Sequence, residues 1–208
     1  MRIDLLNAGK RYNRDWVFKN LSYTFTQGIK YAVTGPNGSG KSTLLQVLIG
    51  ASSIHQGSIT YQIKEKVFPV EKASQLFSFA APYIDLIEEM TLSEFLAFHG
   101  KMKGWINGVD FNDLVQAAGL QNVMHKQVRY FSSGMLQRVK LIVAFSSNVE
   151  VILLDEPTSN LDAEGKIYYK ELLDKYCRHR LLIIASNDQA EYACCNEILD
   201  LSKYKEIR

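Results

Sequence analysis

Along the chain the apolar residues fall first into a period of two. Leu21, Tyr23 and Phe25 alternate with polar neighbours until Gln27-Gly28, which predicts a half-buried strand shortly after Lys10-Arg11-Tyr12. Residues 29–34 form a short apolar run of strand type, and residues 44–49 carry a helical pattern that Gly50 can end. Alternation returns after Gly57, at Ile59, Tyr61 and Ile63, and residues 76–80 predict one more short strand. The period then changes. Thr91-Leu92-Ser93-Glu94 spells a capping box and opens a helix bearing Phe95, Leu96 and Phe98; the pattern stays helical to about Tyr130, broken at Gly104, Gly108 and Gly119. A further helix follows Phe131-Ser132-Ser133-Gly134-Met135 and runs through Phe145. Val151-Ile152-Leu153-Leu154 then leads straight into Asp155-Glu156, as in a buried parallel strand whose end meets a ligand. A helix over residues 163–176, a strand over 181–185, a short helix and a strand near 198–201 complete the pattern.

Strands alternating with helices in the second half predict an α/β fold with a mostly parallel sheet covered on both faces. The early strands predict an antiparallel β subdomain, and residues 85–133 an inserted helical subdomain, all within one domain spanning 1–208. With 24 basic against 22 acidic residues, a formal charge of +2, no electrostatic footprint for nucleic acid is present, and none is expected as a partner. Three cysteines, Cys177, Cys194 and Cys195, suit neither a disulfide framework nor a zinc site. The N-terminus lacks a charged segment followed by an apolar run, and no apolar stretch approaches the roughly 20 residues that cross a bilayer. A cytoplasmic protein is expected.

Chemistry enters at Gly35-Pro36-Asn37-Gly38-Ser39-Gly40-Lys41-Ser42-Thr43, which completes G-x-x-x-x-G-K-[ST] between a predicted strand and a predicted helix. Glycines let the backbone N–H groups turn inward around anionic phosphates, and the helix start adds its positive end. Lys41 then supplies a cation for the β and γ phosphates, and the Ser42 hydroxyl a ligand for Mg²⁺, so ATP and Mg²⁺ are the expected cofactors. At the later strand end, Asp155 is expected to help hold Mg²⁺ and Glu156 to act as general base or as the acceptor that positions the attacking water.

In the order and spacing of these motifs the chain resembles the ABC-family ATPases, the nucleotide-binding subunits of ATP-binding-cassette transporters, over nearly its whole length. Residues 35–43 resemble the Walker A loop and residues 151–156 Walker B with its catalytic glutamate. Ser159-Asn160-Leu161-Asp162 resembles the D-loop, and Ser132-Ser133-Gly134 the family signature, L-S-G-G-Q. Tyr12 lies where the family stacks an aromatic ring on adenine, with Trp16 as a rival.

The resemblance implies an ATPase that pairs as a homodimer or with a paralogue, the signature of one subunit facing the nucleotide of the other. It also implies a separate transmembrane permease holding the chain at the inner face of the membrane. Departures stand beside it. Phe131, Ser133 and Met135 replace signature residues, Ala80-Ala81-Pro82-Tyr83 lacks the expected Q-loop glutamine, and Asn187 replaces the switch histidine in Ser186-Asn187-Asp188. An amide can hydrogen-bond but carries no proton at physiological pH, so slow hydrolysis is expected. The alternatives are a dimerising nucleotide switch with little hydrolysis, a soluble ABC ATPase outside transport and, least suited to the Ser132-Gly134 element, a small-molecule kinase.

Overall fold

The computed structural model describes residues 1–177 and 179–205. They divide into two compact units, the first made of residues 1–77, 150–156 and 179–205, the second of residues 78–149 and 157–177.

The first unit opens with strands β1 (Arg2–Tyr12) and β2 (Asp15–Thr26), then β3 (Lys30–Thr34), helix α1 (Lys41–Leu48), and strands β4 (Gln56–Ile63) and β5 (Lys66–Phe68). Antiparallel pairing in the order β2-β1-β4-β5 makes a sheet. The Leu21, Tyr23, Phe25 alternation is only part of a 12-residue strand, and β1 is hidden from a period-two reading altogether. Asn7 adopts φ 48 and Asn20 φ 55, and the β1–β2 register shifts after Leu5, Ala8 and Lys10, so the side-chain faces change along both strands. Gly57 fits against that irregularity: a Cβ there would lie 2.2 Å from the Leu6 carbonyl oxygen. Tyr61, fully buried, turns its hydroxyl away from the sheet to donate to the Leu48 carbonyl at 2.9 Å, where α1 ends.

Strand β6 (Phe77–Ala80) leads into the second unit, whose helices are α2 (Leu92–Lys103), α3 (Phe111–Ala117), α4 (Ser133–Ser146) and α5 (Ala163–Tyr176). The capping box forms as spelled: Thr91 Oγ1 accepts the Glu94 N–H at 3.3 Å, and the Glu94 carboxylate accepts the Thr91 N–H at 2.8 Å. Phe95 and Leu96 are buried while Phe98 stays exposed, so the aromatic stripe of α2 is core on one side only. Gly104, Gly108 and Gly119 all have positive φ and interrupt the helices where the sequence places breaks.

The chain returns to the first unit as β7 (Val151–Asp155), β8 (Leu181–Ala185), α6 (Gln189–Tyr192) and β9 (Glu197–Asp200). In this unit β7, β8, β3 and β9 lie side by side in parallel. Every residue of β7 and β8 is buried, which explains their unbroken apolar spelling. The last strand lies one residue earlier than its pattern predicts. Ile198 is 59% exposed and Leu199 buried, and Leu201 begins a 3-10 turn capped by Asp200. Among the described residues no helix is long and apolar enough to cross a membrane.

Candidate nucleotide-binding site

Parallel register brings the chemistry together. Ala185 pairs with Val33 on one side and with Asp155 on the other, so β3, β7 and β8 release their following residues at one level. Those residues are Thr34-Gly35, Glu156 and Ser186-Asn187.

Between β3 and α1 the loop turns through Gly35 at φ 140, Gly38 at φ 76 and Gly40 at φ 98. At Gly38 nothing lies within 4 Å of an added Cβ, so the backbone there faces open space; at Gly40 a Cβ would meet Val17 at 2.2 Å. Gly40 caps α1 without any side chain bonded to the first N–H groups of the helix. Uncapped donors and a dipole end fit an anion. Lys41 is buried and donates to the Gly35 carbonyl at 2.8 Å, which keeps the ammonium folded over the loop. Ser39 is 1% exposed and its hydroxyl is unpaired, lying 2.7 Å from where a Gly35 Cβ would be; it turns into the loop and packs it.

A cleft of about 460 Å³ joins Gly38, Gly40, Lys41, Ser42 and Thr43 to Asn37, Val17, Tyr12 and Glu156. Tyr12 is half exposed at its rim. Trp16 is not in its lining; it packs over Gly9 with Arg11 and Lys19 against its ring. Pro36 is exposed on the outside of the loop, and Asp155 is buried behind the cleft at the end of β7. Glu156 is the exposed one of the pair. Its N–H donates to the Ala185 carbonyl at 2.9 Å and its φ is 44, a left-handed conformation that costs a non-glycine residue about 1–2 kcal/mol. Strain of that kind is kept where the side chain must point somewhere particular. Asn187 reaches the loop as well, donating from Nδ2 to Asn37 Oδ1 at 2.8 Å.

The remaining sequence-predicted residues belong to the second unit. Ser132 caps α4, its hydroxyl accepting the Met135 N–H at 3.3 Å, and Ser133 and Gly134 begin the helix. A cleft of about 360 Å³ is lined by Ser132, Ser133, Gly134, Asn160 and Asp162 among others, but not by Ser159. Gly134 must be small, since a Cβ would lie 3.0 Å from the Asn160 carbonyl oxygen, and Asn160 is itself left-handed at φ 64. Asp162 caps α5 through the Gly165 N–H at 2.8 Å and accepts from Arg138 at 2.6 Å. The Gly165 N–H first, and then Arg138, hold its carboxyl below the usual range.

Three residues on α4 are not evident in the sequence reading. Gln137, 1% exposed, donates to the Pro157 carbonyl at 2.8 Å; Arg138 donates both to Asp162 and to the Ala118 carbonyl at 2.8 Å; Lys140, 6% exposed, donates to the carbonyls of Ala81 and Pro82. Their signal in the sequence is faint: polar residues at helical positions whose neighbours, Val139 and Leu141, are core.

Comparison with known proteins agrees with this geometry. The model of the ABC transporter family matches residues 18–159. The uncharacterized ABC transporter ATP-binding protein YybJ of Bacillus subtilis is 32% identical, over 96% of this chain and 92% of its own length. The cytochrome c biogenesis ATP-binding export protein CcmA of Brucella abortus is 29% identical, over 89% of this chain and 85% of its own. Among solved structures, the dimeric ABC transporter cassette MJ0796 superposes with a TM-score of 0.80 at 20% identity, covering 96% of this chain and 95% of that one, which supports the fold. With the phosphate loop, the strand-end carboxylates and these matches in place, the chain belongs to the ABC transporter family, as one of its nucleotide-binding ATPase domains.

Proposed function

We propose that this chain is the ATP-hydrolysing subunit of an ABC transport complex, acting on a separate membrane permease through ATP-driven pairing. The observation that carries the reading is the cleft in which Lys41, Ser42, Tyr12 and the strained Glu156 converge. The uncapped N–H groups of residues 41–43 and the Lys41 ammonium would hold the phosphates, and Tyr12 would stack on the base. Ser42 and Asp155 suit a hard cation with oxygen ligands, so Mg²⁺ would be held there and would neutralise charge on the phosphate oxygens. Glu156 would accept or orient a water, and Asn187, already bonded to the loop, would add a neutral donor beside it.

Ser132, Ser133 and Gly134, with Ser159 and Asp162 of the following loop, would meet the nucleotide of a second copy or of a paralogue. The permease would span the membrane and hold this chain at the inner, cytoplasmic face. Hydrolysis would be slow, since neither a Q-loop glutamine nor a switch histidine is present. One observation favours the alternative of a nucleotide-operated switch with little turnover: the Asn187 amide is engaged by Asn37. The experiment is calorimetric titration of the whole protein with ATP and Mg²⁺, followed by sedimentation and phosphate release. Binding, dimerisation and measurable release are expected. Binding and dimerisation without release, even with a permease present, would establish the switch, and no binding would refute both.

A further inference from the structure

The segment that lacks the family's glutamine is held by a residue from elsewhere. Lys140, on α4, places Nζ 3.1 Å from the Ala81 oxygen and 2.8 Å from the Pro82 oxygen. An ammonium buried this deeply is costly unless its hydrogens are donated, and two of them are. Burial pushes it below the usual lysine range, while the charge of Asp85 works the other way. The gripped segment is stiff at its start. Pro82 fixes its own φ, the Ile84 N–H returns to the Ala81 carbonyl at 3.2 Å, and the Tyr83 ring meets Phe79 edge-on at 6.3 Å. Beyond the grip the segment stays outside the core: Tyr83 is 49% and Ile87 37% exposed, with Ile84 and Leu86 half-buried.

We propose that Lys140 is a positioning residue that ties helix α4, two turns beyond its Ser132 cap, to residues 81–87. In a segment without the glutamine, the ammonium on α4 is the link between that helix and the exposed Tyr83 and Ile87. The backbone carbonyls it grips neither titrate nor change rotamer, so the acceptor side of the link is fixed by the fold. A displacement of α4 when nucleotide-driven pairing engages Ser132 and Gly134 is therefore carried to the 81–87 segment without a side chain of that segment contacting nucleotide. The inference rests on the reading of this chain as an ATP-paired subunit.

The test is amide hydrogen exchange on the whole protein, at residues 83–90, in wild type, Lys140→Met and Lys140→Arg, without nucleotide and with saturating ATP and Mg²⁺. Methionine keeps the stem and removes the donors. Lys140→Met is expected to raise exchange of the segment at least tenfold without nucleotide, and to leave ATP affinity within twofold. The exchange change that ATP produces in wild type should vanish in it, and Lys140→Arg should restore that change. If Lys140→Met does not fold, Lys140→Gln, which keeps two donors without charge, should raise exchange less but in the same segment. Equal exchange in wild type and the folded variant overturns the tie, and a wild-type segment unmoved by bound ATP overturns the transmission. Failure of wild type to bind ATP in calorimetry refutes the functional reading instead, and the transmission with it.

Discussion

Helix α1 starts at Lys41 behind a left-handed glycine, with no side chain on its first N–H groups, whereas α4 starts behind Ser132, whose hydroxyl already accepts one of them. The first start leaves its donors to a ligand. At the second, the serine takes one of those donors for itself, worth about 1 kcal/mol, and keeps its own hydroxyl proton to offer. Around the first, the chain contributes a lysine and a strained glutamate; around the second, Arg138 and Asp162 bond each other. The first start carries a cleft with a cation and no cap, and the second a cap and an ion pair of its own.

The difference is most sharply broken by Glu156→Gln. If Glu156 serves the water, turnover should fall on the order of a thousandfold. ATP affinity should change little, and the ATP-bound pair should accumulate. Phosphate release and sedimentation measure both, and a variant that still turns over at the wild-type rate removes Glu156 from the chemistry. Next comes Lys41→Ala, which takes a charge-assisted contact from the anion end; a loss of about 3 kcal/mol, roughly a hundredfold in ATP affinity, is expected by calorimetry. Unchanged affinity would show that the uncapped helix start alone carries binding.

At the other end the effect should appear in stability rather than in nucleotide affinity. Arg138→Ala leaves the Ala118 carbonyl without its donor, for about 1–2 kcal/mol, read in thermal melts. It also has a pH signature. Asp162 is held below the usual carboxylate range, so its contribution is present above about pH 4 and is lost as pH falls through its folded value. Without Arg138 the folded value rises toward the ordinary one, so the acid loss should become smaller and be complete at a higher pH. The Gly165 N–H remains, so the shift should not vanish. Melts from pH 3 to 6 that overlay after normalisation would detach Asp162 from Arg138. The smallest change is Asn187→His, expected to raise turnover a few-fold with ATP affinity constant, because its contact would strengthen only in the transition state. An unchanged rate makes Asn187 a spectator.

What could be read in advance follows the same division. The capping box at Thr91 and Glu94 and the apolar runs of β7 and β8 are written in residues whose local preference and burial agree, so pattern and structure coincide. The long strand β1 could not be seen, because left-handed Asn7 and the shifted register break the alternation that announces a strand. Trp16 rivals Tyr12 as the stacking candidate in the sequence; the structure puts Tyr12 on the cleft and packs Trp16 on Gly9. Gln137, Arg138 and Lys140 read as the polar face of a helix, and their roles lie entirely in the distant carbonyls and carboxylate they meet. Polar side chains reveal nothing of that kind until their partners are located.

The tyrosine at the far end of α1 gives that helix a mechanical character. Its start carries no side-chain cap, while its other end is fastened by the Tyr61 hydroxyl to a strand of the antiparallel sheet. Burial raises that hydroxyl above the usual tyrosine range, so the fastening persists at any pH a cell reaches. A short rod clamped at one end bends little under load at the other. Exchanging Tyr61 for phenylalanine would unfasten that end of the helix while leaving the loop and Lys41 at the other end untouched.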